Sequence, residues 1–222
     1  MAARPRRLKA EAVVQLVVLS NRRDKYLPAT LEAIRDQVYG WDELVIVDDS
    51  GDEDHRQRTA AQNPDATVIP VAPEPAGYAA AMAVVTACMH GDVVAFWEED
   101  FIPVYPIDLE SFAGILTARP HLAQLALLRQ PWFGNEVEHG GVVEALEAQG
   151  QRFDLVDGIL EHSVFFTGNP SLWTPAVYRP GWPTGAWSEN QKRDQLRGSG
   201  YKFGLIPEVR VHHVGERSGF GY

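Results

Sequence analysis

From Val13 to Leu19 the chain runs Val-Val-Gln-Leu-Val-Val-Leu, apolar and β-branched on both alternating faces, as in a strand covered on both sides. Leu27, Leu31, Ile34 and Val38 then recur at helical spacing, and Gly40 stands where that helix should stop. Leu44-Val45-Ile46-Val47 is a second short apolar run, halted by Asp48-Asp49-Ser50-Gly51. The polar stretch from Asp52 to Gln62 reads as a solvated helix or loop. Thr67 to Val71 reads as a third strand, near an edge because Pro70 has no N–H to give a ladder. Tyr78, Met82, Val85 and Met89 repeat the helical stripe up to Gly91, and Val93 to Trp97 form a fourth strand running into Glu98-Glu99-Asp100. This alternation predicts an α/β fold with a mostly parallel central sheet, helices on its faces and right-handed crossovers.

Beyond residue 100 the pattern loosens. Leu109, Phe112 and Leu116 predict a short helix, and Leu122 to Leu128 a strand or helix. Residues 130–160 have weak periodicity and read as a mobile excursion. Val164 to Thr167 reads as a strand closed by Gly168-Asn169-Pro170. Ser188 with Gln191 three residues on fits a capping box, opening a helix through Leu196 that stops at Gly198 or Gly200. Val209 to Val211 is a last short strand. No linker divides the chain, so the expectation is one domain over residues 11–222 behind a basic tail at 1–10.

Composition narrows the class. Of 222 residues 45% are hydrophobic and 10% aromatic, enough for a sizeable core and unlike a disordered or collagen-like chain. Twenty basic against 30 acidic residues give a net charge of −10, which disfavours non-specific nucleic-acid binding. The single Cys88 excludes an internal disulfide framework and a Cys-rich zinc site, and reads as a core thiol. Arg4, Arg6, Arg7 and Lys9 before an apolar run loosely imitate a secretory signal, but Glu11 and Gln15 interrupt it and no small-residue cleavage site follows. No segment is long and apolar enough to span a bilayer, and the expected location is the cytoplasm.

In an open α/β sheet, ligands collect outside the carboxyl ends of the strands, and this chain puts acids there. Asp48 and Asp49 end one strand; Glu98, Glu99 and Asp100 end another. Period-two alternation points Glu98 and Asp100 the same way and Glu99 the other. Paired carboxylates repel unless a cation lies between them, and such oxygen ligands suit Mg²⁺ or Mn²⁺ with a substrate phosphate; the plain alternative is a solvated turn. His212 or His213, of which alternation lets one face the acids, would add an imidazole, unless both are ordinary surface histidines. Glu189 at a helix start is either a capping charge or a general base, with Asp194 one turn on as the second candidate; Asn190 cannot take a proton. Ser20, Asn21 and Arg22 end the first strand as donors for a base or phosphate. The G-x-G-x-x-G, P-loop, zincin and serine-hydrolase motifs do not occur in the sequence.

Taken in order, Val17-Val18-Leu19-Ser20-Asn21-Arg22, Val45 to Ser50, Glu98-Glu99-Asp100, Ser188-Glu189-Asn190 and His212-His213-Val214-Gly215 resemble the GT-A fold glycosyltransferases, family 2 of the inverting nucleotide-sugar enzymes in particular. The resemblance implies a nucleotide-binding half at about 11–105 and an acceptor-binding half at about 106–222. It implies that Ser20, Asn21 and Asp49 contact the nucleoside of a UDP- or GDP-linked sugar. Glu98 and Asp100 stand in for the family's D-x-D acids, Asp100 as the direct ligand of Mn²⁺ or Mg²⁺, with His212 or His213 reaching the metal or diphosphate. Glu189 takes the first place of the family's E-D pair; the second, usually the base, is Asn190 here, so Glu189 inherits that role. Gly168-Asn169-Pro170-Ser171 and the indoles of Trp173, Trp182 and Trp187 would line the side of an unnamed hydroxyl acceptor. Two rivals share the acids on an α/β sheet: a sugar-phosphate nucleotidyltransferase, and a nucleotide-sugar-binding module without turnover.

Overall fold

A computed structural model of the chain describes residues 14–21, 25–74 and 76–216. The basic tail, Val13 and Arg22 therefore lie outside the described residues. In chain order the elements of the first half are β1 (Val14–Ser20), α1 (Leu27–Gln37), β2 (Val38–Tyr39), β3 (Glu43–Asp48), α2 (Glu53–Gln62), β4 (Ala66–Pro70), α3 (Tyr78–Cys88) and β5 (Val93–Glu98). Then come β6 (Phe101–Pro103), β7 (Ile107–Asp108), α4 (Leu109–Ala118), β8 (Leu122–Arg129), α5 (Gly134–His139) and α6 (Val142–Glu147). The remainder is β9 (Asp154–Val156), β10 (Ile159–His162), β11 (Ser171–Trp173), α7 (Pro175–Tyr178), α8 (Ser188–Gly198) and β12 (Lys202–His213).

All seven residues of β1 are buried, which is why this strand is central: it pairs in parallel with β3 on one side and β5 on the other. Beyond β3 the sheet ends in the parallel β4, whose Pro70 sits on the edge as its missing N–H requires. The chain thus builds outward through β3 and β4, then returns to the far side of β1 with β5. That reversal is a topological switch point, and a crevice opens there beyond the strand ends. Past β5 the sheet is mixed: β11 runs antiparallel between β5 and β8, β12 is parallel to β8, and β10 and β9 follow antiparallel.

Alternation along the strands sorts the core into two layers. Val14, Leu16 and Val18 of β1 and Leu44 and Ile46 of β3 face Leu27, Leu31 and Ile34 of α1 and Leu109, Ala113 and Leu116 of α4. Val17, Leu19, Val45, Val47, Val94 and Phe96 face the opposite way, onto Met82 and Val85 of α3, Val177 of α7 and Leu196 of α8. Each such side chain, fully removed from water, stabilises the fold by about 1.5–3 kcal/mol. Lys192 is buried among these residues because its ammonium donates to the carbonyls of Val177 and Gly181 and to Gln195 Oε1, tying α8 to the α7 loop.

Several local expectations change. Val38 leaves the helix and pairs with Ile107 in a two-residue ladder, keeping its side chain buried. Residues 130–160 are ordered as α5, α6, β9 and the start of β10; the helices are too short to show a period, with Val143 and Ala145 buried on α6 and Glu136 on α5. Val164 to Thr167 is not a strand. Gln124 donates to the Thr167 carbonyl and accepts from its N–H, holding the segment with a side-chain amide while Ser171–Trp173 supplies the ladder. Ser188 is not a cap either: Trp187 holds that position with φ 58°, and Ser188 is the first, buried residue of α8. The strand anticipated at 209–211 is the end of the twelve-residue β12, which two register shifts near Val209 had broken into unreadable pieces. Among the described residues no helix is long and apolar enough to cross a membrane.

Candidate functional site

A cleft of about 530 Å³ lies beyond the carboxyl ends of β1, β3 and β5, and Asn21, Asp49, Glu98, Asp100, Glu189 and His213 all line it. The β5 strand ends at Glu98, and Glu99 and Asp100 form the turn into β6. Strand alternation stops there, so all three acids reach the cleft rather than two. Glu99 serves the architecture, because its carboxylate accepts from the Ser20 hydroxyl at 2.5 Å and the Asn21 N–H at 3.0 Å, and its carbonyl accepts from Thr30. Those bonds lock the end of β1 to the end of β5.

Asp100 Oδ2 lies 3.3 Å from His213 Nε2. This contact joins residues far apart in sequence because β12 runs antiparallel to β6, setting His213 opposite Phe101. The imidazole stacks on Phe101, with ring centroids 4.6 Å apart, and meets Trp132 at 4.3 Å on its other side. Gln130 holds the backbone behind it, accepting from the His213 N–H and donating to the His213 carbonyl, each at 2.9 Å. A side chain at Gly215 would overlap Asp100 Oδ2 and come within 2.9 Å of His213 Nε2, so the close approach of that loop needs glycine. His212, next in the alternation, is exposed and does not line the cleft.

The first turn of α8 presents Glu189, half-buried, to the same cleft. Its Oε1 accepts from the Gly168 N–H at 2.5 Å and the Tyr78 hydroxyl at 3.0 Å. Burial pushes its pKa above the ordinary glutamate value, and those two donors offset only part of the rise. A Cβ at residue 168 would overlap both Tyr78 Oη and Glu189 Oε1, so Gly168 lets the three groups converge. Asn190 is exposed, with its Oδ1 3.5 Å from Arg193 Nη1, and is not part of this cleft.

Asp49 accepts from the Ala76 N–H at 2.9 Å; burial raises its pKa, the amides of Ala76 and Gly77 pull it back, and the Asp48 charge adds to the rise. Three further residues expected at the site stay out of the cleft. Asp194 is exposed, bidentately paired with Arg193, and not among the residues that line the cleft. Asp48 is buried and occupied by the N–H and hydroxyl of Ser50. Ser20 is fully buried, and its hydroxyl donates to the Glu99 carboxylate at the strand end. Trp173 and Trp182 stack on each other in the core, while Trp187 is exposed.

The sequence did not single out Tyr78, which it offered only as a helical stripe residue, nor the rim around Arg129. That arginine is buried and bonded bidentately to Glu136 at 2.7 and 2.9 Å; the N–H groups of Trp132 and Phe133 donate to the same carboxylate. Arg129 ends β8 and Glu136 lies on α5, so no periodicity within one element links them.

Asp100 and His213 offer one carboxylate oxygen and one imidazole nitrogen on a common edge of the cleft, with Glu98 on its lining. Among the described residues no three His, Cys, Asp or Glu side chains are drawn into a closed cage. An open donor pair suits Mg²⁺ or Mn²⁺, which take few protein ligands and complete their shells with water and substrate phosphate oxygens. The residues present fit such an ion.

A family model described as glycosyl transferase family 2 matches residues 16–158. No curated protein sequence matches the chain. Among solved structures, a mannosyltransferase from Pyrobaculum calidifontis in complex with GDP-Man and Mn²⁺ superposes with a TM-score of 0.67 at 17% identity, over 95% of this chain and 59% of that one. GalNAc-T7 with UDP, GalNAc and Mn²⁺ gives 0.65 at 10% identity over 96% and 45%. TarS of S. aureus in complex with UDP-GlcNAc gives 0.66 at 13% identity over 94% and 60%. The chain spans 45–60% of the length of these structures, with which it shares the GT-A fold.

Proposed function

The chain belongs to glycosyl transferase family 2, and from that premise we propose that it moves a sugar from a nucleoside-diphosphate sugar to an acceptor hydroxyl with inversion at the anomeric carbon. One observation carries the reading: a single cleft at the switch point brings together Asn21 and Asp49, the acids Glu98 and Asp100, His213 and Glu189. The GDP-Man and UDP-GlcNAc complexes of the similar structures support a UDP- or GDP-linked donor.

Asn21 and Asp49 sit at the end of the cleft formed by β1 and β3, suited to the nucleoside. Asp100 and His213 would hold Mn²⁺ or Mg²⁺, whose charge would offset the negative charge growing on the leaving diphosphate. Glu189 takes the proton of the acceptor hydroxyl as its oxygen bonds to the anomeric carbon and the bond from that carbon to the diphosphate oxygen breaks. The raised pKa of Glu189 brings it nearer the operating pH, where a carboxylate is a stronger base. Tyr78 and Gly168 orient its Oε1. In this reading residues 11–105 bind the nucleotide and 106–222 the acceptor, except that His213 returns from the second half to the donor acids.

The test is release of UDP or GDP from a panel of nucleotide sugars in the presence of Mn²⁺. The reading expects release that Asp100→Ala abolishes and that Glu189→Gln slows roughly 10²–10⁴-fold. Nucleotide binding without turnover on any acceptor would indicate a binding module, and pyrophosphate release from a nucleoside triphosphate and a sugar phosphate would indicate a nucleotidyltransferase.

A further inference from the structure

Behind Tyr78 and Glu189 lies a second cleft, of about 460 Å³, that shares Gly77, Tyr78 and Glu189 with the first. The Glu189 side chain is therefore the common wall of the two. The lining of the second cleft includes the small residues Ala79, Gly185 and Ala186 and two aromatic side chains, Trp187 and the shared Tyr78. The volume is in the range of about 300–1,000 Å³ typical of small-ligand sites.

Trp187 is unusual in two independent ways. It is 66% exposed, whereas a tryptophan normally hides most of its surface. It also holds a left-handed backbone, φ 58° and ψ 35°, a conformation that costs a bulky residue about 1–2 kcal/mol and that glycine would adopt freely. Among the described residues its indole stacks on no other ring, while Trp173 and Trp182 are consumed by stacking in the core. A strained, unpacked indole is not explained by folding, and such outliers gather at binding sites.

We propose that this second cleft seats the acceptor and that the acceptor is itself a carbohydrate, one pyranose ring lying on the face of Trp187 with a hydroxyl at Glu189. The proposal rests on the transferase reading above and adds the acceptor's class to it. A pyranose has an apolar C–H face and a rim of hydroxyls. The cleft matches that with the exposed indole of Trp187, small residues at Ala79, Gly185 and Ala186 that leave room for a ring, and polar groups in Glu189 and Asn190.

Saturation-transfer NMR with methyl α-mannoside, methyl β-galactoside and methyl N-acetyl-β-glucosaminide tests the proposal on the wild-type chain, Trp187→Ala and Trp187→Phe. Exposure of the side chain leaves both variants able to fold. At least one glycoside is expected to bind the wild type, to bind Trp187→Ala at least tenfold more weakly, and to recover most of the loss in Trp187→Phe. Nucleotide-sugar affinity in Mn²⁺, measured on the same samples by calorimetry, is expected to be the same in the wild type and Trp187→Ala. Absence of glycoside binding to the wild type, equal binding by Trp187→Ala, or a matching fall in nucleotide-sugar affinity would each overturn the proposal. Glycoside binding without any nucleotide-sugar binding would instead sink the transferase reading and leave the subsite standing.

Discussion

The side-chain amide of Gln130 makes both backbone hydrogen bonds of His213, accepting from its N–H and donating to its carbonyl at 2.9 Å each. The bonds fix the end of β12 so that the imidazole, lodged between Phe101 and Trp132, faces Asp100. Groups that orient a metal ligand typically contribute 10–100-fold to metal affinity. Gln130→Ala is therefore expected to weaken Mn²⁺ binding about tenfold, read by the electron paramagnetic resonance of free Mn²⁺. Unchanged affinity would show that the rings alone hold His213.

Glu189 combines a chemical role with an energetic cost. Its pKa is raised by burial, so ionising it in the folded chain is harder than in the unfolded one. The sign follows from linkage: its contribution to stability is full below the ordinary glutamate value of 4.5 and is lost as pH rises through the higher folded value. Glu189→Gln keeps an oxygen for Gly168 and Tyr78 but carries no charge. It is expected to melt at a higher temperature than the wild type at pH 7 and to lose roughly 10²–10⁴-fold in kcat. The acidic limb of the wild-type kcat profile should lie above pH 4.5. A variant both less stable and fully active would reverse the assignment.

Arg129 and Glu136 pose the opposite case. Burial alone would raise the Glu136 pKa, but the guanidinium and the amides of Trp132 and Phe133 outweigh it and the net shift is downward. The stability this carboxylate contributes is present above pH 4.5 and is lost as pH falls through its lower folded value. Removing one charge strands the other in a buried setting, which costs about 3–5 kcal/mol. Glu136→Gln should show that loss in urea denaturation at pH 7, and the gap to the wild type should narrow in acid.

The parallel half of the fold was legible because its signals are local. Seven consecutive buried residues in β1 and the acids that end β3 and β5 declare a strand, its coverage and its carboxyl end without reference to anything distant. The second half depends on contacts the sequence does not advertise. Gln124 replaces a ladder for Thr167, Trp187 replaces a cap for α8, and α5 and α6 are too short for periodicity. The cleft was read in the same uneven way. Asp49, Glu98, Asp100 and Glu189 could be nominated from strand and helix ends, and alternation required one of His212 and His213 to turn away. It could not reveal that Glu99 would consume Ser20, that Asp194 would pair with its neighbour Arg193, or that Gly168 would be the gap through which Tyr78 reaches Glu189.

The central claim is that Asp100 and His213 mark the place where a divalent cation meets a nucleoside diphosphate. Isothermal titration of UDP and of GDP into the chain, with Mn²⁺ and then with excess chelator, tests it most directly. The account predicts saturable binding of at least one of them that the chelator removes and that Asp100→Ala weakens at least tenfold. Binding of equal strength in all three conditions, or binding of neither nucleotide in Mn²⁺, would contradict it.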